Sequence, residues 1–150
     1  MGEDELVALL KARGGAQPVA STPVVDAAER ALGFELPSLL VRLYCEVGNG
    51  GFGPGLFGQP PHPGDAVDMI AHYQSMRDYC TWPERILPIL DLGCAMHTCL
   101  DCSSTAARLV HSEDMKLGFV DETLHEWLEL WLRGEDVPRY VPGSERSVLG

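Results

Sequence analysis

The chain has 150 residues, 45% of them hydrophobic and 22% charged, with 11 basic against 22 acidic side chains and a net charge of -11. That length supports one domain that buries roughly two thirds of its unfolded surface without help from disulfides or metal, so a disordered chain is excluded. Scattered basic residues, no two adjacent, exclude a phosphate-tracking nucleic-acid surface, and no stretch approaches the roughly 20 uncharged apolar residues of a membrane span.

Met1 to Glu5 is acidic where a secretory leader would be basic, so a cytoplasmic protein is expected. Leu6, Val7, Leu9 and Leu10 recur at helical spacing before Gly14-Gly15 and predict a short helix in an N-terminal arm or lid, residues 1–21. Thr22-Pro23 reads as a capped helix start leading to Gly33, and Pro37 starts a helix whose stripe is Leu39, Leu40, Leu43, Tyr44 and Val47. Gly48 to Gly64 holds seven glycines and four prolines, so it is loop, with a short strand expected at Leu56-Phe57. A helix is expected from about Ala66 to Asp78, and Trp82-Pro83 ends the helical half.

Ile86 to Leu90, Ala95 to Asp101 and Arg108 to His111 predict strands of an antiparallel meander, with Phe119-Val120 a candidate fourth. Thr123 and Glu126 form a capping box, Leu124, Trp127, Leu128 and Trp131 make a helical stripe that packs on the sheet, and Gly134 closes it. The expected class is α+β: N-terminal helices, a central largely antiparallel sheet and a C-terminal amphipathic helix. The main domain is 22–136, and 137–150 is a tail without an element.

The ordered fragments Ala28-Glu29-Arg30-Ala31-Leu32-Gly33-Phe34-Glu35-Leu36-Pro37, Leu43-Tyr44 and Gly48-Asn49-Gly50-Gly51-Phe52-Gly53 resemble the opening signature of the SMI1/KNR4 family, the SUKH superfamily. Trp82-Pro83, Leu87-Pro88-Ile89, Leu92-Gly93-Cys94, Cys99-Leu100-Asp101 and Glu126 to Leu132 are similar to that family's pattern in the same order, covering about residues 22 to 134. The resemblance implies an α+β domain and protein binding without catalysis. Many bacterial members look like immunity proteins that neutralise polymorphic toxins, and fungal relatives act as regulatory scaffolds. Glu29, Gly33, Leu36, Pro37, Asn49, Gly50, Gly51 and Trp127 are the signature positions, and they read as structural.

The expected partner is therefore a protein, a basic toxin domain held by occlusion, with a scaffold for a host protein as the alternative and a monomer favoured. Phe52, Leu56, Phe57 and Trp82 are candidates for a partner-facing groove. From Glu113 to Asp136 eight carboxylates face two cations. Glu122, Glu126 and Glu129 are accordingly candidates for drawing in a basic partner.

The five cysteines read as free thiols. Cys94, His97, Cys99 and Cys102 carry zinc-compatible groups within nine residues, but strand alternation would turn Cys99 and His97 to one face and Cys94 and Cys102 to the other. No metal or cofactor is expected. A nucleophilic Cys45, Cys80 or Cys102 served by His72, His97 or His111 would require a geometry the sequence does not give. The pairs Glu113-Asp114 and Asp121-Glu122 read as surface, and Gly48 to Gly51 lacks the strand that precedes a phosphate loop.

Overall fold

Local signals set most of the elements in this computed structural model, which describes residues 1–15, 17–58, 68–114, 116–135 and 146–147. Four helices come first: α1 (Glu3–Arg13), α2 (Thr22–Leu32), α3 (Ser38–Glu46) and α4 (Met69–Tyr79). A meander follows, β1 (Ile86–Gly93), β2 (Met96–Asp101), β3 (Arg108–Glu113) and β4 (Lys116–Thr123), each strand antiparallel to the next. Helix α5 (Leu124–Leu132) leaves β4 directly, and β5 (Arg146–Ser147) pairs with Lys116 and Leu117 at the sheet's edge. The class is α+β, as expected. Among the described residues no helix is long and apolar enough to cross a membrane.

Several boundaries differ from the sequence reading for physical reasons. The cap of α2 is Ser21, whose Oγ accepts from the Val24 amide at 3.4 Å; Thr22 already belongs to the helix, and Pro23 sits in its first turn. Helix α4 starts at Met69 because the Asp68 carboxylate accepts from the amides of Ile70 (3.0 Å) and Ala71 (3.1 Å). Ala66 and Val67, expected in that helix, lie outside the described residues. Leu56-Phe57 is not a strand: Phe57 donates one backbone bond to Ile89 of β1 (2.8 Å), and Gly58 bridges Asp68. Ala95 belongs to the β1–β2 turn, where Gly93, Cys94 and Ala95 all take positive φ.

Strand β4 is far longer than the Phe119-Val120 core, and Arg146–Ser147 supplies an element where none was expected. The remainder of the tail from 137 lies outside the described residues.

A single hydrophobic cluster joins the helices to the sheet. It includes Leu6, Val7 and Leu10 of α1, so the helix expected as an arm or lid closes the same core, while Leu9 faces solvent. Helix α1 is fastened to α5: Arg13 donates to the Leu132 carbonyl (2.9 Å) and lies over the Trp131 ring, 5.2 Å from its centroid. Leu124, Trp127 and Leu128 of α5 are buried. Its capping box is complete, with Thr123 Oγ1 accepting from the Glu126 amide and Glu126 accepting from the Thr123 amide.

Candidate functional site

The connection from α2 to α3 is built by the signature residues. Gly33 ends α2 at φ 86°, a left-handed conformation open to glycine at little cost. Glu29 reaches past it to accept from the Leu36 amide at 2.6 Å. Phe34 meets Tyr73 edge to face at 5.5 Å, and Leu36 is buried. The connection is thereby pinned across one end of the sheet.

Its outer side forms a groove with the strand ends. Phe34 to Ser38 lie on one wall, and Arg85, Cys102, Ser103, Ser104 and Thr105 on the other, around a cavity of about 560 Å³. The groove continues over Pro37, Ser38 and Thr105 to Glu3, Thr123 and His125, and in the opposite direction past Phe34 and Arg85 to Arg77 and Glu84. Arg85 holds its exposed position at φ 69°, unusual for a side chain of this size. Its amide donates to the Tyr73 hydroxyl (3.2 Å) and its carbonyl accepts from the Cys102 amide (2.8 Å). The buried Phe34, Leu36 and Pro37 back this groove, and the hydroxyl residues 103–105 with the exposed Arg85 line its open side.

At the Glu3 end the groove opens onto acid drawn from distant parts of the chain. Arg42 is ion-paired to Glu3 (3.3 Å), Asp4 (2.7 Å) and Glu46 (2.6 Å), so α1 and α3 bring three carboxylates to one guanidinium. The Met1 amino group pairs with Glu129 at 2.9 Å, which places the acidic start of α1 against the middle of α5. Glu129 also meets His125 (2.9 Å) and Arg133 (3.3 Å), and the Met1 ammonium and the His125 contact hold its carboxyl below the usual range. Glu3, Asp4 and Glu46 thus share Arg42, while Glu129 holds the amino terminus and Arg133.

The expected groove aromatics are elsewhere. Phe52, Phe57 and Trp82 are 0%, 5% and 0% exposed, and Leu56 is also buried, so none of them presents a surface to a partner. Trp82 donates its indole N–H to the Ile86 carbonyl (2.6 Å), and Phe52 packs edge-on against Tyr44, whose hydroxyl donates to the Phe57 carbonyl (2.7 Å). They hold the loop of residues 48–58 to the core. Asn49 is buried in that loop, and Gly50 and Gly51 take φ 95° and 78° as its turn requires. Trp127 is core, as read. Glu126 is committed to the cap and Glu129 to the α1–α5 contact, whereas Glu122, half-buried near the end of β4, takes neither role.

The cysteine cluster is dispersed. Cys94 is exposed in a turn, Cys99 is buried in β2, and Cys102 lies beyond the strand at the groove. All five cysteines are free thiols. Burial pushes the Cys99 and Cys102 thiols well up, away from the thiolate that nucleophilic attack or metal ligation requires. Cys80 donates its thiol to the Met76 carbonyl (3.3 Å).

His97 instead meets His72 of α4, Nε2 to Nε2 at 3.1 Å, a contact between residues 25 apart that no sequence pattern announces. Burial lowers the pKa of both rings, and the Asp91 carboxylate opposes that effect. Among the described residues no three His, Cys, Asp or Glu side chains are placed to hold one metal ion. Compared with known protein families the chain matches no family model, and compared with curated proteins it matches none.

Proposed function

We propose that this chain is a non-catalytic protein-binding module that receives a basic partner on the acidic face and seats a segment of it in the adjoining groove. The observation that carries the reading is the meeting of carboxylates from α1, α3 and α5 around Arg42 and the Met1 amino group, with Glu3 among them lining the end of a groove framed by the Gly33 to Ser38 connection. Opposite potentials speed encounter, and a cleft between rigid elements supplies the short-range contacts that fix the complex. The SMI1/KNR4 resemblance of that connection supports a specific form of the proposal: an immunity protein, monomeric in the cytoplasm, that neutralises a basic toxin domain by occluding its working surface.

The test is capture by the immobilised chain from its own host's lysate, run beside Ser104→Trp, which fills the groove from an exposed position. The reading predicts retention of one basic chain by the parent protein, at least tenfold reduced by Ser104→Trp. Equal retention by both proteins removes the groove from the account. Recovery of a regulatory host protein instead of a toxin replaces immunity with a scaffold role.

A further inference from the structure

We infer that the His72–His97 pair is an acid-sensitive latch between α4 and the sheet, closed while both rings are neutral and released when either takes up an added proton, and that its release loosens the groove. The Nε2–Nε2 contact of 3.1 Å ties the middle of α4 to β2. Such a bond needs a proton on one nitrogen and a lone pair on the other. The other ring nitrogen of His97, Nδ1, is buried with no hydrogen-bond partner. A buried N–H left unpaired costs more than an unpaired lone pair, so Nδ1 is bare. His97 therefore carries its proton on Nε2 and donates it to His72 Nε2, which leaves His72 protonated on Nδ1. Neither open position accepts a further proton cheaply. On His72 Nε2 it removes the acceptor and sets one N–H against another; on His97 Nδ1 it makes a buried, charged donor with nothing to receive it.

The neighbours favour the neutral pair. Phe57 lies 5.3 Å from the His72 ring, and burial pulls the pKa of both rings down. From β1, Asp91 stands opposite His97 and favours charge, but it is exposed and its carboxylate accepts from the Gly93 amide (2.8 Å). From α4, Asp68 is engaged with the amides of Ile70 and Ala71, and from β3 the residue opposite His97 is the uncharged Ser112. With both values below the ordinary 6.5, the folded chain binds fewer protons than the unfolded one. Stability is therefore full above about pH 6.5 and falls as the pH drops below it. Helix α4 carries that change to the groove. Tyr73, next in sequence to His72, accepts from the Arg85 amide (3.2 Å) and packs on Phe34 (5.5 Å), and Arg77, one turn on, donates to the Trp82 carbonyl. The latch stands whether or not the groove holds a partner.

The experiment is NMR of the full chain from about pH 7.5 down to about pH 5, a window above the loss of the Glu129 contribution. It reads the imidazole nitrogens, the Arg85 amide and the hydrogen exchange of α4 amides against those of β3, and is repeated on His72→Gln/His97→Gln. The expected result is His97 as the Nε2–H and His72 as the Nδ1–H tautomer, with both rings titrating below 6.5. Protection of α4 relative to β3, corrected for intrinsic exchange, falls about tenfold over the window in the parent and holds constant in the double variant. The Arg85 amide shifts with the same midpoint as the rings. Reversed tautomers, rings titrating at or above 6.5, α4 protection that tracks β3 throughout, or an equal fall in the double variant would each overturn the latch. An Arg85 amide that ignores the titration would overturn its link to the groove. The parent spectra decide the matter even if the variant folds poorly.

Discussion

Glu29 shows how one side chain can carry a sequence signature. Its carboxylate accepts from the Leu36 amide across the end of α2, and removing it leaves a half-buried donor without that acceptor. Glu29→Ala should cost about 1–2 kcal/mol of unfolding free energy, read by urea denaturation, and should loosen the groove wall it supports. A stability unchanged within error would mean that the connection holds itself. The glycines divide in a way their identity alone does not reveal. Gly50 and Gly55 both take positive φ, but a Cβ on Gly50 would lie 2.7 Å from the backbone nitrogen of Gly58, whereas one on Gly55 meets open space. Gly50→Ala should therefore cost about 2–3 kcal/mol, combining strain with a backbone collision, and Gly55→Ala about 1 kcal/mol. Equal losses in thermal unfolding would show that the 48–58 loop yields to the added carbon. The turn at Asn49 to Gly51 is legible from residue type. The depth of Phe52, Phe57 and Trp82 is not, because an aromatic beside a glycine-rich loop reads equally well as a lid or a floor until its partners Tyr44, Ile86 and Ile89 are known.

The elements were readable wherever their signals are local. The Thr123 and Glu126 capping box and the stripe of α5 are four-residue patterns, and the helix forms where they place it. Strand β4 was hidden because Gly118 and the acids Asp121 and Glu122 break its apolar run; its pairing with β3, from Glu113 with Lys116 to Arg108 with Thr123, makes it a strand. Helix α1 read as detached because sequence shows its stripe but not the α5 and α3 surfaces that bury it. That docking has a pH signature through Glu129. The Met1 ammonium and His125 favour its ionised form in the folded state, so its pKa is depressed below the ordinary carboxyl value of 4.5. The folded chain then binds fewer protons than the unfolded one, and the stability contributed by this carboxylate is present above pH 4.5 and lost as pH falls through the folded value. The stability difference between the parent and Glu129→Gln should be greatest near neutrality and shrink on acidification below about pH 4.5. A gap independent of pH would place the α1–α5 contact elsewhere.

For the whole molecule, the excess of acid is the property that composition showed first and the fold made specific. Sequence located it between Glu113 and Asp136; the folded chain moves its centre toward the junction of α1, α3 and α5, since Arg42 and Met1 tie Glu3, Asp4 and Glu46 to the vicinity of Glu129. Glu126 and Glu129 are poor choices for testing attraction because removing them damages a cap and a docking contact. Glu5 and Glu122 carry charge without those duties, and removing the 93% exposed Asp4 leaves Arg42 its other partners Glu3 and Glu46. The groove was legible only as the rigid connection that frames it, since its other wall comes from Arg85 and residues 102–105, about 50 to 70 positions along the chain.

The most direct measurement is the association rate of the purified chain with its captured partner across a range of ionic strength, for the parent and for Asp4→Asn/Glu5→Gln/Glu122→Gln. Steering by the acidic face predicts a parent rate that falls steeply as salt rises, a variant rate about tenfold lower at low salt with a flatter slope, and nearly equal dissociation rates. Superimposed association curves for the two proteins would contradict the account.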